Sequence, residues 1–214
     1  MPFDLAVIDL DNTLYAADAG VFARMDRRMT DFVARELGVD EAEANRLRLK
    51  YWKEYGTTLR GMMLHHGMEA EPFLHDVHDI DAHECLKADP ELDAALSRLP
   101  GRKVIHTNGI REHAERILAA LGIAHHFERI YDIRFDHYIP KPSRELLAKL
   151  LAAEGVAPER ALVVDDMPDN LQAARDLGCR TVWISRNTTN HHWDYHLPSL
   201  HPLPDALSRN PDMA

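Results

Sequence analysis

The chain is poor in cysteine, has fewer basic than acidic residues, and contains no long apolar run. Its only two cysteines, Cys85 and Cys179, are far apart and lack metal-ligand spacing, which excludes a disulfide framework and predicts a reducing, cytoplasmic location. Lys and Arg number 25 against 35 Asp and Glu, so the formal charge is −10 and a nucleic acid polymer is not expected as a partner. No stretch approaches the length of a membrane span, and the N-terminus has no basic region typical of a signal peptide. We therefore expect neither membrane association nor secretion.

Short apolar runs alternate with helical patterns in most of the chain. Five runs have the length of buried strands: Leu5–Ile8, Lys103–His106, Arg129–Ile133, Ala161–Val164 and Arg180–Ile184. Helical patterns separate the later runs, at Glu112–Leu121, Ser143–Glu154 and Met167–Leu177, and each is followed by a glycine that suits a helix C-terminus. This alternation predicts an α/β fold of three layers, a parallel sheet covered by helices on both faces.

Residues 16–88 interrupt this alternation. They contain no convincing strand and instead show helical patterns at Phe22–Leu37, Glu41–Tyr55, Thr58–His66 and, more weakly, Pro72–His78. A helical block that follows the first strand would lie over the carboxyl edge of the sheet, where open α/β folds bind ligands. We therefore predict an α/β core made of residues 1–15 and 89–214, with an α-helical cap inserted as residues 16–88. The tail from Ser185 onward is expected to be loop, with some docked structure around Trp193 and Leu197–Leu203.

Four polar segments follow apolar runs in a way that would bring them to one edge of a parallel sheet. They are Asp9–Thr13, Thr107–Gly109, Lys141 between Pro140 and Pro142, and the doublet Asp165–Asp166. Carboxylates at the end of a buried strand are costly unless something neutralises them. The sequence therefore predicts a cation-binding centre at this edge.

The residue types in these segments suit phosphate chemistry on a divalent cation. Mg²⁺ prefers oxygen ligands and uses one or two carboxylates, which Asp9 and Asp166 would supply, with the backbone carbonyl of Asp11 beside them. Lys141 and the Thr107 hydroxyl would neutralise and hold a phosphate, together with local backbone N–H groups and the amide side chain of Asn108. Asp9 would be the nucleophile, forming an aspartyl phosphate. Asp11 would protonate the leaving oxygen and then deprotonate water.

The segments DLDNT, HTNG, IPKP and VVDDMPDN, in this order, resemble the four motifs of haloacid-dehalogenase-superfamily phosphatases, over the chain up to about Ser185. The resemblance implies a Rossmann-like core, a cap inserted after the first motif, Mg²⁺ as cofactor and an aspartyl-phosphate intermediate. It implies Asp9 as nucleophile, Asp11 as general acid/base, Thr107 and Lys141 as phosphate ligands, and Asp165 and Asp166 as the acidic metal motif, with Asp166 the direct ligand. Members that dehalogenate lack the second aspartate of the first motif, so Asp11 favours a phosphatase.

The substrate prediction rests on the first motif and on the cap. DNTLY and the segment Tyr55–Gly61 resemble the pyrimidine 5′-nucleotidase branch, which implies a UMP- or CMP-like substrate. Tyr55, Thr57, Thr58 and Arg60 offer stacking and hydrogen-bonding groups that would contact the leaving group. The same segment also fits a plain turn between helices followed by a capped helix, and both interpretations remain open.

Several alternatives remain at this stage. The core motifs fit a phosphatase for a sugar phosphate or phosphoglycolate, or a phosphotransferase, as well as they fit a nucleotidase. A non-catalytic phosphoacceptor module is a weaker alternative, because in receiver-type domains the acidic pair comes first, whereas here the doublet comes last and a large cap intervenes. Asp165 either binds the metal or supports Asp166 through hydrogen bonds. The 14 histidines include three adjacent pairs, His65-His66, His125-His126 and His191-His192, whose members should point apart, so a zinc site is not expected.

Overall fold

The computed structural model describes residues 3–187 and 193–209. Six parallel strands form one sheet in the order β3-β2-β1-β4-β5-β6. The strands are β1 Leu5–Ile8, β2 Arg102–His106, β3 Arg129–Tyr131, β4 Ala161–Asp165, β5 Arg180–Ile184 and β6 Tyr195–Leu197. The α-helices within the same residues are α1 Val21–Leu37, α2 Glu41–Tyr55, α3 Thr58–His66, α4 Ala70–His78, α5 Pro90–Arg98, α6 Arg111–Leu121, α7 Arg144–Glu154, α8 Pro168–Leu177 and α9 Leu203–Arg209.

The central strand β1 shows why the fold has three layers. All four of its residues are buried, and neighbouring side chains point to opposite faces of the sheet. Ala6 and Ile8 pack in a core with side chains from α5, α6 and α9. Leu5 and Val7 pack on the other face with side chains from α7 and α8. The predicted Rossmann-like parallel sheet with helices on both faces is therefore confirmed.

Helices α1 to α4 follow β1 and form a separate helical layer. Side chains of α1, α2 and α3 share a small apolar cluster built around Val33, Tyr51 and Met62. A second cluster joins this layer to the sheet region, because Phe73 and Leu74 of α4 are grouped with Ile110 and Ile133. The helical character predicted for this segment is confirmed, whereas the domain boundaries at residues 16 and 88 stay a prediction.

The structure differs from the expected elements mainly after β5 and at β3. Strand β3 ends at Tyr131 rather than at Ile133, whose N–H donates instead to the Gly109 carbonyl at 3.1 Å. The tail contains a sixth strand, β6, and the helix α9, where only loop with some docked structure was expected. No helix within the described residues has the length and apolar character needed to cross a bilayer.

Candidate active site

The predicted site lies where the strand order reverses, between β1 and β4. Asp9 directly follows β1, and its N–H donates to the Val164 carbonyl at 2.9 Å, so the hydrogen bonding of the sheet continues to this residue. Asp165 is the last residue of β4. Both carboxylates therefore stand at the carboxyl edge of adjacent strands, where open α/β sheets have their binding crevice.

Lys141 joins these two carboxylates. Its Nζ donates to Asp9 Oδ1 at 2.7 Å and to Asp165 Oδ2 at 2.9 Å, and all three side chains are buried. Burial opposes the charged form of Lys141, but the charges of Asp165 and Asp9 outweigh it and raise the pKa of the amine. Lys141 is therefore a cation at neutral pH, fixed beside the predicted nucleophile.

Asn108 and Thr107 hold the loops around that cation. The Lys141 N–H donates to Asn108 Oδ1 at 2.8 Å, and Asn108 Nδ2 donates to the Lys141 carbonyl at 3.2 Å. The Asn108 side chain thus fixes the backbone of the Lys141 loop, and its predicted contact with phosphate stays a prediction. Thr107 is buried and its Oγ1 accepts from the Gly109 N–H at 2.9 Å, which leaves the hydroxyl proton to be donated elsewhere.

Three carboxylates form a compact acidic cluster at the same place. Oxygens of Asp9, Asp165 and Asp166 all lie within 4.8 Å of one another. Burial, and then the charge of Asp165, raise the pKa of Asp166 to about 7. Burial also raises the pKa of Asp9, and Asp165 adds to the rise while Lys141 opposes it. Fully ionised, the three carboxylates would carry more negative charge than Lys141 neutralises, and their all-oxygen donors fit Mg²⁺.

Both carboxylate oxygens of Asp165 already have partners, and one of them binds within its own loop. Beside the Lys141 contact at Oδ2, its Oδ1 accepts from the Met167 N–H and from Asn170 Nδ2, each at 2.9 Å. These bonds favour the interpretation in which Asp165 orients the loop that carries Asp166. Asn170 helps to hold the same loop through its bond to Asp165.

Trp183 is a supporting residue that sequence reasoning missed. Its Nε1 donates to the Asp166 carbonyl at 2.9 Å, and the indole is almost fully buried on β5. The contact reaches the acidic loop from the neighbouring strand, in the register that pairs Asp165 with Trp183. The contact between Trp183 and Asp166 depends on the pairing of β4 with β5, and the sequence contains no other signal for it.

Asp11 has a different environment from Asp9. His113 Nε2 donates to Asp11 Oδ1 at 2.8 Å, and the Tyr15 hydroxyl donates to the same oxygen at 2.5 Å. Burial would raise the pKa of Asp11, but the interactions with His113 and Tyr15 outweigh it and lower the pKa. Asp11 is therefore held as a carboxylate, turned toward α6 and absent from the three-carboxylate cluster.

His113 is the second residue that the sequence analysis missed. It is fully buried in the first turn of α6, the helix that begins after the Thr107 segment. Its ring packs against His78 with centroids 4.9 Å apart, and its Nδ1 is buried without a hydrogen-bond partner among the described residues. The sequence did contain a signal for it: a histidine three residues after Ile110, on the buried face of a helix that starts at a predicted phosphate loop.

The four cap residues have mixed surroundings. The turn at Gly56 lies against the Lys141 loop, since a Cβ added there would be 3.0 Å from the Lys141 carbonyl oxygen. However, Thr57 caps α3 by accepting from the Arg60 N–H, and the buried Thr58 hydroxyl donates to the Arg48 carbonyl. Tyr55 Oη lies 2.7 Å from His65 Nε2. The turn is thus near the candidate site, while three of its four side chains already have local partners.

Comparisons with known proteins identify the family and the fold. A family model described as haloacid dehalogenase-like hydrolase matches residues 3–178. Phosphate metabolism protein 8 of Saccharomyces cerevisiae is 28% identical over 187 residues, which is 79% of this chain and 58% of that protein. Phosphoserine phosphatase of Thermus thermophilus is 37% identical over 101 residues, or 45% of this chain and 40% of that protein. The chain thus spans about half the length of these curated relatives. The crystal structure of a HAD phosphatase from Thermococcus onnurineus has the same fold, with a TM-score of 0.66, 21% identity, and coverage of 95% of this chain and 97% of that one.

Proposed function

The chain belongs to the family of haloacid dehalogenase-like hydrolases, and from that membership we propose that it is a Mg²⁺-dependent phosphomonoester hydrolase. The reaction proceeds through an aspartyl phosphate on Asp9. The observation that carries this proposal is the buried Lys141 ammonium, which lies 2.7 Å from Asp9 and 2.9 Å from Asp165 beside a third carboxylate.

The residues divide the reaction into two displacements. In the first, a carboxylate oxygen of Asp9 attacks phosphorus, the bond from phosphorus to the leaving oxygen breaks, and the protonated form of Asp11 gives that oxygen its proton. This form is the minor one at neutral pH, because His113 and Tyr15 lower the pKa of Asp11. In the second, Asp11 takes a proton from water, the water oxygen attacks phosphorus, and the bond from phosphorus to Asp9 breaks. Hydrogen bonds from His113 and Tyr15 stabilise the ionised form of Asp11 that this second displacement needs.

Charge neutralisation comes from two sources. Lys141 and the Thr107 hydroxyl would donate to phosphate oxygens, and Asn108 keeps the Lys141 loop in position. The carboxylates of Asp9 and Asp166, with the Asp11 carbonyl, would hold Mg²⁺, which supplies further positive charge to the phosphate when bound. Asp165 orients this loop rather than binding the ion directly.

The proposed substrate class is a pyrimidine nucleoside 5′-monophosphate, a small metabolite of the cytoplasm. Support comes from the resemblance of DNTLY and of the Tyr55–Gly61 segment to that branch, and from the position of the Gly56 turn against the Lys141 loop. Tyr55 and Arg60 would contact the base and sugar. The local bonds of Thr57 and Thr58 favour a structural role for those two residues. A phosphatase for another small ester is the alternative.

The test is the release of inorganic phosphate from UMP, CMP, AMP, GMP, phosphoglycolate, phosphoserine and several sugar phosphates, each with Mg²⁺ and with EDTA. We expect Mg²⁺-dependent release that is fastest with UMP and CMP, and none from the Asp9→Asn variant because an amide is a poor nucleophile. Release confined to another ester would retain the phosphatase and reject the nucleotidase. Turnover by Asp9→Asn at the wild-type rate would reject the covalent mechanism.

A further inference from the structure

A second group of metal-ligating side chains lies away from the acidic cluster. The 3₁₀ turn Ala124–His126, which follows α6, places two adjacent imidazoles against Asp93 of α5. His125 Nε2 lies 3.1 Å and His126 Nε2 lies 2.7 Å from the same oxygen, Asp93 Oδ1.

The expectation that adjacent histidines point apart is therefore wrong for this pair. The reason is the tight turn, which brings the ring centroids to 4.1 Å from each other. The pair His191-His192 lies outside the described residues.

The spacing of these three atoms fits a metal ion. Zn²⁺ in tetrahedral coordination has bonds of about 2.0–2.1 Å to imidazole and carboxylate, which puts neighbouring ligand atoms roughly 3.3 Å apart. The two nitrogen–oxygen distances are 3.1 and 2.7 Å, and all three ligand atoms lie within 4.8 Å of one another. Only a small outward movement of the side chains would admit an ion.

We propose that Asp93, His125 and His126 form a binding site for a divalent transition-metal ion of the zinc type. Two imidazoles and one carboxylate suit Zn²⁺, Co²⁺ or Ni²⁺, whereas the all-oxygen cluster at Asp9 suits Mg²⁺. The His125 side chain is 64% exposed and that of Asp93 41%, so ions can enter and water can complete the coordination. The His126 side chain is only 9% exposed, which keeps one ligand in a fixed position.

The backbone around the site is already ordered by other contacts. The His126 N–H donates to the Ile123 carbonyl at 3.1 Å, which fixes the turn. Asp89 caps α5 through the Leu92 N–H, and its own N–H donates to the Leu121 carbonyl at 3.0 Å, which fixes α5 against the end of α6. Metal binding would therefore join two elements that are in place before the ion arrives, at little cost in conformational entropy.

The site is separate from the proposed phosphatase centre. Helix α6 begins beside the Thr107 segment and has 11 residues, so its far end, where the turn lies, is about 16 Å away along the helix axis. A negative result for the metal site would therefore not count against the proposed phosphatase activity. A negative result for the phosphatase activity would likewise not count against the metal site. The competing explanation is that the two imidazoles simply donate hydrogen bonds to Asp93.

Isothermal titration with Zn²⁺ distinguishes the two explanations. The protein is tag-free, treated with EDTA and dialysed, and excess Mg²⁺ loads the acidic cluster during the titration. We expect one Zn²⁺ per chain in this competition. Asp93→Asn, His125→Gln and His126→Gln should each weaken binding by about 10- to 100-fold or more, because losing an outer partner of a metal ligand already costs that much. The matched control is His201→Gln. His201 Nε2 lies 3.0 Å from Asp89, the N-cap residue of the same helix, but among the described residues it belongs to no group of three metal-ligating side chains, so its loss should leave binding unchanged.

Two further measurements keep the result interpretable. Thermal unfolding of each variant in EDTA checks that the fold is intact, and the ¹⁵N shifts of the imidazole nitrogens report whether Nε2 of His125 and His126 bind the metal. Zn²⁺-dependent shifts at both Nε2 atoms would support the site. Unchanged Zn²⁺ affinity in folded Asp93→Asn and His126→Gln, or no binding by the wild type, would overturn the proposal.

Discussion

At the scale of single residues, Asp9 and Asp11 are two positions apart and occupy opposite electrostatic environments. Asp9 lies beside Lys141 and two further carboxylates, and its pKa is raised by burial. Asp11 faces His113 and Tyr15, which lower its pKa. When the pKa values of two nearby carboxyl groups are shifted in opposite directions, an enzyme can use the two groups in different roles. This difference supports the proposal that Asp9 takes the phosphate and the metal while Asp11 transfers the proton.

The first prediction concerns Asp11. Replacing Asp11 with Asn removes the proton acceptor without removing the nucleophile, so kcat should fall roughly 10²- to 10⁴-fold, the usual contribution of general acid–base catalysis. Steady-state phosphate release measures the effect. The exposed carboxylate Asp169, in the first turn of α8, provides the control, and Asp169→Asn should retain activity. A loss of only a few-fold in Asp11→Asn would make Asp11 a structural residue.

The second prediction concerns His113 as the residue that positions Asp11. His113→Phe keeps the ring volume and removes the bond to Asp11 Oδ1. A hydrogen bond to a charged group contributes about 1.5–3 kcal/mol, so kcat should fall roughly 10- to 100-fold with little change in KM.

A double-mutant cycle separates this role from a general loss of structure. In the Asp11→Asn background, His113→Phe should cause little further loss of kcat, because the group it positions is already gone. Additive losses in kcat would contradict the assignment. So would a large rise in KM from His113→Phe alone.

The sequence alone was sufficient to predict which site residues lie together when each directly follows an apolar strand. Asp9 and Asp165 could be placed together because adjacent parallel strands end at the same edge. His113 and Trp183 could not, because their contacts depend on the rotation of α6 and on the register of β4 with β5. The helical pattern places His113 on a buried face but does not show what it contacts, and the register of β4 with β5 is not visible in a single sequence.

At the scale of elements, one bridge joins the helical layer to the sheet region. Glu71 of α4 accepts from Arg134 Nε and Nη2 at 2.9 and 2.8 Å, and from the Tyr138 hydroxyl at 2.7 Å. Arg134 also donates to Glu112 of α6 at 2.9 Å. His75 Nε2 lies 3.4 Å from Glu71. A single guanidinium therefore connects α4, α6 and the loop after β3.

The third prediction is the pH dependence of this bridge. The hydrogen bonds from Arg134 lower the pKa of Glu71 from its ordinary value of 4.5 to about 2. The ionised form is thus favoured by folding, so its stabilisation is complete above about pH 4.5 and is lost as the pH falls toward 2. Glu71→Gln should lower Tm at pH 7, and the difference from the wild type should shrink below pH 4.5.

Thermal unfolding across this pH range measures the effect. Glu69→Gln serves as the control, because Glu69 is exposed at the N-terminus of α4 and its side chain caps nothing. The Glu71 side chain is 42% exposed, so solvent screening keeps the loss modest. An equal difference in Tm at pH 7 and at pH 3 would show that the ion pair does not contribute.

Helices and long strands were predictable, and short terminal elements were not. Helix α7 begins after Ser143, whose hydroxyl accepts from the Leu146 N–H, and ends before Gly155 in a left-handed conformation, so both ends have a local chemical signal. Strand β6 has only three residues and exists because Tyr195–Leu197 pairs with β5. Its formation depends on a neighbour rather than on its own sequence.

At the scale of the whole molecule, the order of the strands places the candidate site. Strand β1 lies between β2 and β4, so the chain builds the sheet first in one direction and then in the other. The alternation of strands and helices predicted a parallel sheet, but several strand orders satisfy that pattern. No strand order was predicted from the sequence, and the structure supplies it. Three carboxylates consequently meet at the reversal, and their mutual repulsion lowers the stability of the metal-free fold.

The fourth prediction follows from that repulsion. Burial and the charge of Asp165 raise the pKa of Asp166 from 3.8 to about 7, so folding favours its protonated form. Its contribution to stability therefore falls as the pH rises from about 4 through 7, and at pH 8 the ionised group is destabilising. Asp166→Asn should have a higher Tm than the wild type at pH 8 in EDTA.

Magnesium should reverse the ranking, because an ion that binds only the folded state stabilises it in proportion to its affinity. Wild-type Tm should rise with Mg²⁺ at constant ionic strength, while Asp166→Asn should respond weakly because it lacks a ligand carboxylate. Asp169→Asn, which removes an exposed negative charge four residues beyond Asp165, should respond like the wild type and so separates ligation from general screening. If Asp166→Asn and the wild type gain the same Tm from Mg²⁺, the ion binds elsewhere, and the acidic cluster is held together by Lys141 alone.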